Sequence, residues 1–140
     1  MPEPAPVKRH LNPDGLMRSP AFSQAVVIEP GARLVVVGGQ NGVRADGTLA
    51  GGGLAAQVRQ IMANIETALA AAGADLSDVV SWDVRVVHGQ DVNEGFAAFR
   101  EAWGDRPGPL PAITFAFVAA GSIPGALAEI AVLAAVPADR

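Results

Sequence analysis

The chain has 140 residues, of which 50% are hydrophobic and only 17% charged; its net charge is −4 at pH 7 and it has no cysteine. Disulfides, thiolate nucleophiles and cysteine metal sites are excluded. No basic run exceeds Lys8–Arg9, which argues against nucleic acid and anionic membranes as partners.

Residues 1–20 are rich in proline and scattered charge, and read as an irregular N-terminal arm. They lack an apolar core, so no signal peptide is expected and the protein is expected to be cytoplasmic. Residues 21–138 are expected to form a single domain. Ala21–Ile28 and Arg33–Gly38 are β-like runs separated by "EPGA", a hairpin signal. A Gly-rich loop, "GGQNGVRADGTLAGGG", spans Gly38–Gly53.

Leu54–Ala72 reads as a helix, because Leu54, Val58, Ile61, Ile65 and Leu69 recur at helical spacing and Gly73 is a natural stop. Val79–Val87 alternates as a strand, with Val80, Trp82, Val84 and Val86 on one face and Ser81, Asp83 and Arg85 on the other. A second helix opens with Asp91 as cap and Glu94 three residues on; its apolar stripe is Val92, Phe96, Phe99 and Trp103. Two strands follow, Ala112–Val118 and Ala126–Val136, joined by the turn "GSIPG". That turn breaks an apolar stretch which would otherwise suggest a membrane span of roughly 20 residues.

The order ββαβαββ predicts an α+β architecture, a mixed sheet with two helices on one face. With both helices on one face, a second copy of the chain is the natural cover for the other. The two histidines, His10 and His88, lack metal-ligand spacing, so no metal and no cofactor is expected. His88, at the end of a strand, reads as structural rather than as a base.

Glu129 is the one charged residue between Pro107 and Ala138. Burying a lone carboxylate is costly unless it is paired, hydrogen-bonded or protonated. Strand alternation sets Glu129 opposite Ile130 and Val132.

Several stretches resemble the Rid (reactive intermediate deaminase, YjgF-like) family. They are "FSQAV" (Phe22–Val26), "VVVGGQ" (Val35–Gln40), "QVRQIMANIETALAAAGADLSDVV" (Gln57–Val80) and "RPGPLPAITFAFVAAGSIPGALAEIAV" (Arg106–Val132). The resemblance implies a chorismate-mutase-like fold and a homotrimer around a central β-barrel, with ligand clefts between subunits. It also implies hydrolysis of 2-imino acids, or their enamine tautomers, to keto acids and ammonia.

Carried over by position, Glu129 falls on the family's glutamate, which positions or activates water, and Gly39 and Gln40 fall on its "GQ". Ile113 stands where the family has the arginine that pairs with the substrate carboxylate. Phe22 stands for its tyrosine and Gly38 for its serine. Phe96 falls on its asparagine, although a local shift would bring in Asn93. Ile113, with Phe115 and Phe22 beside it, offers a carboxylate no partner. A typical 2-imino acid deaminase is therefore not expected unless Arg44, Arg85 or Arg106 reaches the cleft.

Three roles remain open for Glu129: general acid/base in hydrolysis of a C=N or related bond, anchor for an uncharged ligand, or a structural contact that caps backbone or pairs across an interface. Two functional classes follow. One is a divergent deaminase-type hydrolase using Glu129 on a largely apolar or uncharged small molecule, with Phe22, Gly38, Gly39, Gln40, Phe96, Ile113 and Phe115 in its cleft. The other is a non-catalytic trimer that binds a small ligand or regulates a partner. Endoribonuclease activity, also associated with the family, is disfavoured by the acidic charge balance.

Overall fold

The computed structural model describes residues 5–140. Residues 1–4 of the expected arm lie outside the described residues. The elements in chain order are β1 (Lys8–Leu11), β2 (Ala25–Ile28), β3 (Ala32–Gln40), α1 (Gly53–Ala71), β4 (Val79–Val87), α2 (Val92–Trp103), β5 (Ala112–Val118) and β6 (Ala128–Pro137). A four-stranded sheet has the order β3-β6-β4-β5. The β3–β6 and β6–β4 pairs are antiparallel and the β4–β5 pair is parallel, so the sheet is mixed. Both helices pack on one face of it, as the order of elements predicts.

The helical stripe explains α1. Leu54, Val58, Ile61, Met62, Ile65 and Leu69 are all buried, against Val37, Ile130, Val132, Ala134 and Val136 of the sheet. Gly73, with φ of 72°, takes the left-handed position past the helix end. The Asp91 side chain accepts from the Asn93 N–H at 3.0 Å and starts α2. A second cap was not foreseen. Asp75 and Asp78 close a capping box on the short 3₁₀ turn Leu76–Asp78 before β4.

Three expectations change. Part of the irregular arm is a strand: β1 pairs antiparallel with β2, Lys8 opposite Ile28. The "EPGA" turn forms, with Gly31 at φ 87°, but it closes no hairpin. β2 is taken by β1 and β3 by β6, so the two strands leave the turn for different sheets. Nor are β5 and β6 neighbours, because β4 lies between them. In each case a strand more distant in the chain takes the pairing, and the local turn signal does not register that competition.

The sheet face away from the helices is uncovered in one chain. Leu34 and Val36 of β3 stand 53% and 80% exposed there. Their β3 neighbours Val35 and Val37 turn inward, and Val37 is buried. Among the described residues no helix is long and apolar enough to cross a membrane.

Candidate functional site

Strand register distributes the expected site residues. Arg85 lies directly opposite Glu129 on the β4–β6 ladder, and Asp83 opposite Ala131. On the β4–β5 ladder, Trp82 lies beside Ile113 and Val84 beside Phe115. Side chains alternate along a strand and registered partners share a face. Glu129 and Arg85 therefore stand on the open face, while Ile113, Phe115, Trp82 and Val84 stand on the helix side. Within one protomer Glu129 and Ile113 stand on opposite faces of the sheet; the expectation from the sequence places the cleft between subunits.

Glu129 lines a cavity of about 220 Å³ with Arg85, Val87, Val118, Ala120, Gly121, Ser122 and Ala128. Its carboxylate is seated against Gly39: a Cβ placed there would lie 2.8 Å from Glu129 Cδ. The β3 register shifts between Val37 and Gln40, so Gly38 and Gly39 form an irregularity that brings bare backbone against the carboxylate. Gln40 turns back on this segment, its Nε2 donating to the Gly38 carbonyl at 3.1 Å.

Arg85 is the cation on the wall of this cavity. Its guanidinium lies 3.5 Å from Asp83 Oδ1, and among the described residues no ion pair joins it to Glu129. The other two candidate arginines are engaged elsewhere. Arg106 donates to the Ala102 and Trp103 carbonyls at the end of α2 and lies over the Trp103 ring. Arg44 donates to Thr48 and Leu49 within its own loop.

On the other side of the sheet a cavity of about 360 Å³ runs between the helices, β4 and β5. Its lining includes Phe96, Ile113, Phe115, Trp82 and Phe99, with Asn93 as the sole amide side chain. Asn93 and Phe96 both reach it, being one helical turn apart on the same face of α2. Phe22 does not line it; its neighbour Ala21 does. Phe22 is half-buried and bridges to Ser19, while Ser23 is buried and donates to the Leu110 carbonyl at 2.6 Å.

Trp82 and Val84 share one strand face in the sequence, and both line this cavity beside the edge strand β5. Ser122 and Gly121 of the second cavity were not foreseen, because loop residues carry no periodicity. His88 caps β4, its N–H donating to the Val118 carbonyl at 2.9 Å and its ring packing edge-on against Phe117.

Comparison with known proteins adds the context. The sequence profile described as endoribonuclease L-PSP matches residues 16–136. No curated protein matches the sequence. Among solved structures, the Rid-family protein YyfB from Yersinia pestis is 31% identical, with a TM-score of 0.79 over 93% of this chain and 99% of that one. Rv2704 from Mycobacterium tuberculosis, a member of the YjgF/YER057c/UK114 family, is 36% identical, with a TM-score of 0.61 over 81% and 86% of the two chains. RidA from an Antarctic Psychrobacter is 28% identical, with a TM-score of 0.66 over 76% and 86%. A profile match across most of the sequence, on a fold shared with these structures, establishes that the chain belongs to the endoribonuclease L-PSP family, the Rid/YjgF family of these relatives.

Proposed function

We propose that this protein binds a small, largely apolar or uncharged metabolite in clefts between copies of the chain, and hydrolyses an imine- or enamine-type C–N linkage with Glu129. The observation that carries this reading is the seat of Glu129. Its carboxylate lies against the bare backbone of Gly39 inside a cavity, with no ion pair to occupy it among the described residues. A glutamate kept free in this way is available to hold a water molecule.

The apolar wall of Phe96, Ile113 and Phe115 faces away from Glu129 in one chain. Two copies would bring the Glu129 face of one against the β5 edge of the next. The exposed Leu34 and Val36 support such an assembly, and a homotrimer is the form the family resemblance favours. The steps balance without a cofactor. Water attacks the imine carbon as Glu129 takes its proton, giving a carbinolamine. Glu129 returns the proton to nitrogen, then takes the hydroxyl proton and hands it to the departing nitrogen as the C–N bond breaks, so that a carbonyl product and ammonia leave. With Ile113 in place of an arginine, the preferred substrate carries no carboxylate beside that carbon. The net charge of −4 gives no support to RNA as substrate.

The test generates 2-iminobutanoate and a neutral aryl ketimine in situ and follows carbonyl release. The neutral imine is expected to react faster, and Glu129→Gln to lower its rate by ~10²–10⁴-fold. Hydrolysis of both imines at equal rates would overturn the substrate assignment, and an unaffected Glu129→Gln variant the catalytic one. The alternative, a non-catalytic ligand-binding trimer, is favoured by one observation: the larger cavity is complete without Glu129.

A further inference from the structure

We propose that the cavity between α2 and the sheet takes a single aromatic ring bearing a neutral hydrogen-bond acceptor, as in an aryl ketone or aryl carboxamide. This rests on the reading above that the Ile113–Phe115 wall meets the ligand, and names what that wall selects.

Four observations lead there. The first is size. A cavity of ~150 Å³ accepts a benzene ring, so a volume of about 360 Å³ has room for a ring with a substituent. The second is shape. The Trp82 and Phe99 rings meet edge-on, with centroids 5.2 Å apart and planes at 87°, and Phe96 stacks on Phe99 at 6.0 Å. Together they present both a ring edge and a ring face, the two contacts an aromatic guest prefers.

The third is the polar chemistry. Trp82 lines the cavity and is only 4% exposed, and its buried indole Nε1 has no hydrogen-bond partner among the described residues. The donor is closed off from the cavity surface in this conformation, so an acceptor on a guest reaches it through a small side-chain shift, which the cost of leaving a buried donor unpartnered favours. Asn93, at the α2 side, offers a second polar contact. No lysine or arginine is among the lining residues, so a carboxylate entering would lose its water without gaining a counter-charge. The fourth is access. Phe96, Ile113 and Phe115 are 39%, 40% and 44% exposed, so the mouth is open in the folded chain.

Both tryptophans of the chain lie in this cluster, with Trp103 edge-on to Trp82 at 6.2 Å, so intrinsic fluorescence reports on the site. The intact protein is titrated with acetophenone, ethylbenzene and benzoate, with thermal stability followed in parallel. Acetophenone is expected to quench saturably and to raise the melting temperature. It should bind about tenfold more tightly than ethylbenzene, the margin of one hydrogen bond, and more tightly than benzoate.

Trp82→Phe, with Trp103 as reporter, should erase the preference for acetophenone over ethylbenzene. Val84→Phe should fill the cavity and abolish binding of both. Absence of a saturable response to acetophenone, benzoate binding as well as acetophenone, or an unchanged preference in Trp82→Phe would each overturn the proposal. Turnover is read separately. Wild-type protein that binds acetophenone but hydrolyses no imine supports the site and sinks the hydrolase reading. Protein that hydrolyses imines but binds no aryl ketone does the reverse.

Discussion

A single methyl group at Gly39 separates the chemistry of Glu129 from the stability of the fold. The atoms it would strike, Glu129 Cδ at 2.8 Å and Oε1 at 2.9 Å, are the mobile end of a side chain. Gly39→Ala should therefore swing the carboxylate aside at a cost within about 1 kcal/mol by thermal melting. Any Glu129-dependent hydrolysis should fall by about tenfold or more, because a catalytic group displaced by an ångström loses its alignment. The close approach of Glu129 to Gly39 crosses from β6 to β3, and the sequence carries no sign of it.

A second residue-scale effect sits at His10. Its Nδ1 lies 2.8 Å from Ser23 Oγ, whose hydroxyl donates to the Leu110 carbonyl. The Ser23 oxygen thus accepts from an Nδ1–H. Burial, then the neighbouring Lys8 charge, hold the imidazole pKa below its ordinary 6.5. The unfolded chain therefore binds the proton more readily than the folded one. Stability from this group is present at neutral pH and is lost as the pH falls from about 6.5 through the lower folded value. Melting temperatures from pH 7.5 to 5 should show His10→Gln losing less stability on acidification than the wild type. A larger loss in the variant would contradict this account.

Between elements, Gln57 ties α1 to the turn before β6. It is buried, its Nε2 donates to the Gly125 carbonyl at 3.0 Å, and its Oε1 accepts from the Leu127 N–H at 2.8 Å. Gln57→Leu keeps the bulk and strands both backbone groups, so a loss of about 2 kcal/mol is expected from denaturant unfolding. Amide exchange at Leu127 should rise as well. Gln57 sits in the apolar stripe of α1 as a polar exception, and the pattern alone does not say what it bonds.

The long helices and the strands β4 and β5 were legible because each runs through many periods of its own pattern, from Leu54 to Leu69 and from Val79 to Val87. β1 was not, because "KRHL" offers four residues with one strong apolar member. The site was legible in its members more than in its arrangement. Glu129 stood out by charge, and Phe96 and Ile113 by resemblance. That Glu129 stands on the other face of the sheet from Ile113 follows only from the register of β6, β4 and β5.

For the whole molecule the uncovered sheet face sets the expected behaviour. Val36, 80% exposed, stands on it beside Leu34. Val36→Glu puts a charge where an apolar partner surface is expected, at little cost to a lone chain. Sedimentation should show a shift from trimer to monomer, with loss of any turnover that needs Glu129 of one copy and Ile113 of another. A monomeric wild-type protein would remove the basis of the inter-copy cleft.

The sequence by itself determined the α+β class, both helices, the inward faces of the strands and the kinship to the Rid family. These rest on periodicity and local motif, properties carried by neighbouring residues. Only the tertiary structure decided that the hairpin signals at "EPGA" and "GSIPG" yield to distant strand partners, that Arg85 rather than Arg44 or Arg106 lies near Glu129, and that an aromatic cavity opens behind Ile113. Strand pairing is a competition among segments far apart in the chain, and its outcome depends on the surface each partner buries.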